Sequence, residues 1–215
     1  MAETLLPRSV QEQLQKEFKQ VTAPVTLLVF TQELQCGPCK QNDQLVDELA
    51  KLSPKIRVEK HEFSKDMLTA KNYGIDKIPA IIPVGAKANG VRFFGIPSGY
   101  EFSNLIEAIK DASRGGAGLS AAAIARLEKI KKPVHIQVLV TPTCPYCTKM
   151  VRLAHQFAMY NSLIRADMVE LGEFPYLAQK YDVVGVPMTV INEKTMLSGA
   201  VSEEKFLEAV EKAGK

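Results

Sequence analysis

The sequence predicts an α/β protein built twice from one unit, each unit a central mixed β-sheet flanked by helices. Three observations carry this. The four cysteines form two C-x-x-C pairs, Cys36/Cys39 and Cys144/Cys147, set 108 residues apart. The same offset carries Tyr73 onto Tyr181, Pro79 onto Pro187, Arg57 onto Arg165, Glu62 onto Glu170 and Ala70 onto Ala178. Finally, both halves show one order of elements, a strand–helix–strand start followed by two more strands and a helix. Residues 105–109 (LIEAI) match 206–210 (FLEAV) at an offset of 101, so the first copy carries seven extra residues before its final helix.

In the first copy, Ser9-Val10-Gln11-Glu12 has the form of a capping box, and Val10, Leu14, Phe18 and Val21 follow at helical spacing. Pro24 ends that helix, and 25–31 reads as a buried strand. The C-G-P-C turn leads into a helix to about residue 52, with Leu45, Val46 and Leu49 on its core face. A strand near 56–60, a short helix near 64–72 and a strand at 80–84 follow. Residues 91–94 read as an edge strand and 101–113 as a closing helix. In the second copy the helices are expected at 120–132, from the C-P-Y-C turn to about 160, near 174–180 and at 202–212. Its strands are expected at 134–140, 163–168, 188–192 and 196–199. The expected domains are therefore residues 1–114 and 119–215. The small, flexible run 114–118 (RGGAG) links them.

Composition narrows the function classes. Apolar residues make up 46% and charged residues 24% of the 215, the balance of an ordinary globular chain. No apolar stretch approaches the ~18 residues needed to cross a bilayer, so no membrane role is expected. Net charge is +3, and no dense basic face is visible, so no nucleic-acid partner is expected. Glu3 and the lack of an apolar segment behind it argue against a secretory leader, and a cytoplasmic location is expected. In a reducing compartment, cysteines serve redox or metal roles more readily than structural disulfides.

Each C-x-x-C pair sits where a strand gives way to a helix. Unpaired backbone N–H groups and the helix dipole stabilise an anion there, which favours a thiolate on the first cysteine. Cys36 and Cys144 are thus the expected attacking thiols, and Cys39 and Cys147 the deeper, resolving ones. A four-cysteine zinc site spaces its pairs by ~15–20 residues; here 104 intervene. No metal or other cofactor is expected. A C-x-x-C loop is also too short to restrain much chain entropy as a staple. His61, His135 and His155 share no spacing relative to the cysteines, and His155 is expected on a solvent-facing helix surface. Glu59/Asp167 and Glu62/Glu170 are acids matched between the copies. They read as solvated strand-end groups, with a proton relay to the resolving cysteine as the alternative.

The layout resembles the thioredoxin fold, with Gly37-Pro38 the dipeptide of thioredoxins and Pro145-Tyr146 that of glutaredoxins. Two longer segments narrow the resemblance: 91–102 (VRFFGIPSGYEF), and 141–147 (TPTCPYC) with 150–157 (MVRLAHQF). Together they look like the protein disulfide oxidoreductases of thermophilic archaea and bacteria, also called glutaredoxin-like proteins. The resemblance implies a small relative of protein disulfide isomerase that reduces, forms or reshuffles disulfides in protein substrates. A thioredoxin-reductase-type flavoenzyme or a peroxiredoxin would be its redox partner. It also implies two halves packed into one unit through their sheets. Pro79 and Pro187 would follow cis bonds beside the cysteines, leaving the backbone of Ile78 and Val186 to pair with an extended substrate.

If thioredoxin and glutaredoxin potentials carry over, the second site is the stronger oxidant by roughly 50 mV. The chain departs from thioredoxins in lacking Trp, with Gln35 and Thr143 before the first cysteines. Phe30 and Val138 stand where thioredoxins place a buried acid. Gly185-Val186-Pro187 and the single Gly199 depart from the glutaredoxin pattern for glutathione. The competing readings are an electron-transfer module serving a peroxidase, a non-catalytic peptide-binding chaperone, and an iron–sulfur carrier using Cys144.

Overall fold

The computed structural model describes residues 4–87 and 89–215. The first three residues of the expected first domain, Glu3 among them, lie outside the described residues. The first half runs α1 (Arg8–Glu17), a 3-10 turn (Phe18–Gln20), β1 (Val25–Thr31), α2 (Cys39–Ala50) and β2 (Ile56–Glu62). It continues with α3 (Met67–Tyr73), β3 (Ala80–Val84), β4 (Val91–Phe94) and α4 (Glu101–Arg114). The second half repeats this order as α5 (Ala121–Leu127), β5 (Val134–Val140), α6 (Cys147–Tyr160) and β6 (Ile164–Glu170). It closes with α7 (Pro175–Lys180), β7 (Met188–Ile191), β8 (Thr195–Ser198) and α8 (Glu203–Ala213).

Local sequence explains most boundaries. Leu14, Phe18 and Val21 form the buried stripe expected of the first helix. The capping box does not form. Pro7 fixes the entry, Gln11 N donates to Pro7 O at 3.0 Å, and the helix is already under way at Ser9. Ser120 and Ser202 do cap α5 and α8, accepting from Ala123 N and Lys205 N.

The strands form one eight-stranded sheet in the order β2-β1-β3-β4-β6-β5-β7-β8. Within each half the first two strands are parallel, joined by the helix that carries a cysteine, and the remaining pairs are antiparallel. Alternation along the strands then sorts the core. Leu27, Val29, Ile81 and Phe93 face a layer with α1, α2, α4, α5, α6 and α8. Leu28, Phe30, Ile82 and Phe94 face the other layer, under α3 and α7. No helix among the described residues is long and apolar enough to cross a membrane.

The expectation of an edge strand at 91–94 is corrected. β4 lies inside the sheet because it pairs in parallel with β6, Val91 opposite Ala166 through Phe94 opposite Val169. All four of its residues are buried, whereas β8, its repeat counterpart, is the exposed edge.

Two expectations about polar residues fail at this seam. Asp167 is 1% exposed rather than solvated; Arg92 Nε and Nη2 fork onto its oxygens at 2.7 and 2.9 Å. The guanidinium and His135 hold this carboxyl down at about 2, overcoming the effect of burial. His155 is also buried, edge-on to Phe93 with Nε2 3.3 Å from Arg92 O, because α6 turns this face onto β4. Burial lowers its pKa to about 3, so it is neutral. Glu170 is likewise buried, accepting from the backbone N–H groups of Gly172 and Glu173.

The run 114–118 begins as the end of α4, with Gly115 in the left-handed conformation at φ 70°. Gln156 Nε2 donates to Gly118 O at 3.0 Å and the Tyr160 hydroxyl to Ala117 O, so α6 holds this run in place.

Candidate active site

Each C-x-x-C pair is set by the same local physics. A buried strand delivers the chain to the sheet end, a short turn follows, and proline or its neighbour starts the helix on which the second cysteine sits. In the first half β1 ends at Thr31 and α2 begins at Cys39, with Pro38 at the N-cap position. Cys36 and Cys39 close a disulfide with Cα atoms 5.4 Å apart, inside the usual range. Cys36 is half-buried and Cys39 buried, the order expected of attacking and resolving sulfurs. In the second half Cys144 and Cys147 close a disulfide across 5.5 Å, and Cys147 opens α6 behind Tyr146. Here both cysteines are buried. The cysteines thus pair within each motif rather than between motifs.

The two prolines follow cis bonds, Ile78–Pro79 and Val186–Pro187. At the second site the carbonyl oxygen of Val186 lies 3.7 Å from Cys144 Sγ. At the first, the chain leading to Ile78 lines a groove of about 610 Å³. Gln32, Gln35, Gly74, Ile75 and Asp76 are among its lining residues. Both Ile78 and Val186 are half-buried. Gly37 and Pro145 sit in the turns, and a Cβ at Gly37 would meet nothing within 4 Å. The surroundings differ in chemistry. Leu34, Met67 and Leu68 stand exposed near the first site, while Tyr146, Tyr176 and Val184 stand exposed in the second half, Tyr146 at 70%.

Sequence reasoning missed one residue. Glu101, the first residue of α4, is 2% exposed, and Asn104 Nδ2 donates to its Oε2 at 2.7 Å. Asn104 Nδ2 also donates to the backbone oxygen of Thr148, the residue after Cys147, at 3.1 Å. A carboxyl of the first half is thus wired to the helix start of the second site. Burial pushes it up to about 7, against the opposing pull of Asn104 and Thr148. The supporting loop is fixed from the same side. Tyr100 N donates to Pro142 O at 3.0 Å, and a Cβ on Gly99 (φ 58°) would run into that same carbonyl.

The thioredoxin domain family matches residues 134–212, the second half. The solved protein disulfide oxidoreductase of Aeropyrum pernix superposes on the whole chain with a TM-score of 0.90 and 29% identity, over 95% of its own length. A solved alkylhydroperoxide reductase component of Enterococcus faecalis, AhpF, matches 95% of this chain and 99% of its own. Its TM-score is 0.88 and its identity 29%. Among curated proteins, an NADH dehydrogenase of Bacillus subtilis is 26% identical over 163 residues, 76% of this chain and 30% of the relative. The chain therefore spans about a third or less of the curated relatives it matches. By fold and by the placement of its cysteines, the chain is a tandem thioredoxin-fold protein similar over its whole length to the Aeropyrum pernix protein disulfide oxidoreductase.

Proposed function

We propose that the chain is a thiol–disulfide oxidoreductase acting on protein disulfides through two dithiol/disulfide centres, in a reducing compartment consistent with the cytoplasm. One observation carries the reading: two separate C-x-x-C pairs, each closed as a disulfide at the start of its own helix.

In the reducing direction the thiolate of Cys36 or Cys144 attacks one sulfur of a substrate disulfide and expels the other as a thiolate. Cys39 or Cys147 then attacks the mixed disulfide and releases the second substrate sulfur. Two electrons and two protons pass to the substrate, and a dithiol or flavoenzyme reductant must restore the pair. The reverse sequence forms a disulfide, and escape from the mixed disulfide permits isomerisation. Ile78 and Val186 would present backbone to an extended substrate beside each attacking sulfur. At the second site the buried carboxyl of Glu101, holding a proton near neutrality, is the candidate acid–base group for Cys147, the residue before the Thr148 carbonyl that Asn104 also reaches.

A second reading has support of its own. The Enterococcus faecalis structure and the Bacillus subtilis relative suggest an electron-transfer module that takes electrons from a flavoenzyme and delivers them to a peroxiredoxin. Insulin reduction by dithiothreitol, followed by turbidity, tests the first reading. Wild-type acceleration abolished by removing both pairs supports it; no acceleration by any form refutes it. Electron delivery from a flavoprotein reductase to a peroxiredoxin without insulin reduction would favour the second.

A further inference from the structure

β4 is the strand through which the first half meets the second, and its Arg92 does more than join them. The guanidinium is 4% exposed, and its fork onto Asp167 of β6 uses Nε and Nη2. Its remaining nitrogen, Nη1, donates to Tyr73 O at 3.1 Å and to Gly74 O at 2.6 Å, at the end of α3. These carbonyls have no partner within a helix that stops there, so the guanidinium replaces the missing helical turn. Gly74 turns the chain in the left-handed conformation, φ 65°, and Ile75 and Asp76 line the same groove as Gln32 and Gln35, the residue before Cys36. A Cβ on Gly74 would lie 2.5 Å from Arg165 Nη1 and 2.6 Å from Arg92 Nη1, so glycine at this positive φ leaves room for both guanidinium groups.

The repeat supplies an internal control. Ala80 pairs with Phe94 as Met188 pairs with Ser198, so Met196 stands where Arg92 stands. Met196 lies on the exposed edge strand and has no hydrogen bond to give the Tyr181–Asp182 turn. Asp182, at φ 47°, takes the place of Gly74. The guanidinium clamp therefore exists only where the neighbouring half can anchor it.

We propose that Arg92, anchored on Asp167, is the positioning residue for segment 73–79 beside Cys36, so that the first dithiol site is completed by the second half of the chain. This rests on the thiol–disulfide reading above. Lysine keeps a cation for Asp167 but, as a point charge on a flexible stem, cannot also hold two carbonyls. Arg92→Lys thus removes the positioning contacts while retaining the ion pair.

The test places Arg92→Lys in two backgrounds, one with Cys144→Ser/Cys147→Ser and one with Cys36→Ser/Cys39→Ser. Insulin is the disulfide substrate. The first-site form should show KM raised about tenfold, with kcat within about twofold. The second-site form should change in neither. Amide hydrogen exchange in the same proteins should quicken over 73–79 and not over 181–187. Equal changes at both sites, or unaltered KM and exchange at the first, overturn the proposal. Arg92→Met/Asp167→Asn, which removes both charges of the pair, should give the same split if Arg92→Lys folds poorly. An inactive first-site parent would refute the functional reading at that site, while exchange over 73–79 still decides whether Arg92 positions it.

Discussion

Replacing Glu101 by glutamine separates what favours the fold from what favours the second site. Glutamine keeps the size and the acceptor that Asn104 uses, and removes only the ability to ionise. In the folded protein burial raises the carboxyl from 4.5 to about 7. Between those values the unfolded chain gives up its proton while the folded one keeps it, so stability falls as pH rises. At about 1.4 kcal/mol per pH unit, the folded state above pH 7 carries a penalty of roughly 3 kcal/mol. His155 works in the opposite sense, because its value drops from 6.5 to about 3. On acidification below 6.5 the unfolded chain binds a proton that the folded one does not, and stability falls. Over pH 4.5–6.5 the two slopes oppose each other. Urea denaturation of the oxidised protein at pH 5, 6, 7 and 8 reads the difference directly. Glu101→Gln should be more stable than wild type by up to about 3 kcal/mol at pH 8, with the gain shrinking toward pH 5. In the Cys36→Ser/Cys39→Ser background, stopped-flow reduction of the second disulfide should slow on the order of 10²-fold, the scale of a lost acid–base group. A gain that does not vary with pH refutes the ionisation argument. An unchanged rate refutes the proton-carrier role.

Three further outcomes follow from the same contacts. Asp167→Ala leaves Arg92 buried without its carboxylate and should cost about 3–5 kcal/mol by urea denaturation at pH 7. Because the Asp167 pKa is lowered from 3.8 to about 2, its ionised-state contribution is present above 3.8 and is lost as pH falls through about 2. The gap between wild type and variant should therefore narrow in acid by about 2–3 kcal/mol. Gly99→Ala should destabilise by about 1–3 kcal/mol, since its Cβ meets Pro142 O and φ is positive. It should slow the second site more than the first in single-site forms. Glutathione redox titrations of those forms should place the second site higher by roughly 50 mV, and equal potentials would refute the dipeptide argument.

The strands were largely legible. β1, β3, β4 and β5 fall on the expected residues because buried strands announce themselves as short apolar runs between breakers. The cysteine turns were legible through their repeated spacing, which tertiary structure cannot disguise. What the pattern could not reveal is what sits beside what. The run of β4 reads as an edge because its sheet neighbour, β6, lies some seventy residues on in the other copy. Asp167 looks like a solvated acid until Arg92 is brought opposite it. Glu101 lies 43 residues before Cys144, and its repeat counterpart, Ser202, is an ordinary helix cap. The 101-residue offset therefore pairs it with no acid. The one available signal was an acid and an amide at i and i+3 in a helix's first turn, too common to single out.

The central claim is that two independent disulfide centres exchange with protein disulfides. Insulin reduction by wild type, Cys36→Ser/Cys39→Ser, Cys144→Ser/Cys147→Ser and the fourfold serine variant tests it most directly. Activity in wild type, partial activity in each double variant and none in the fourfold variant is the predicted result. Activity that survives removal of all four cysteines, or is absent from the wild type, would contradict it.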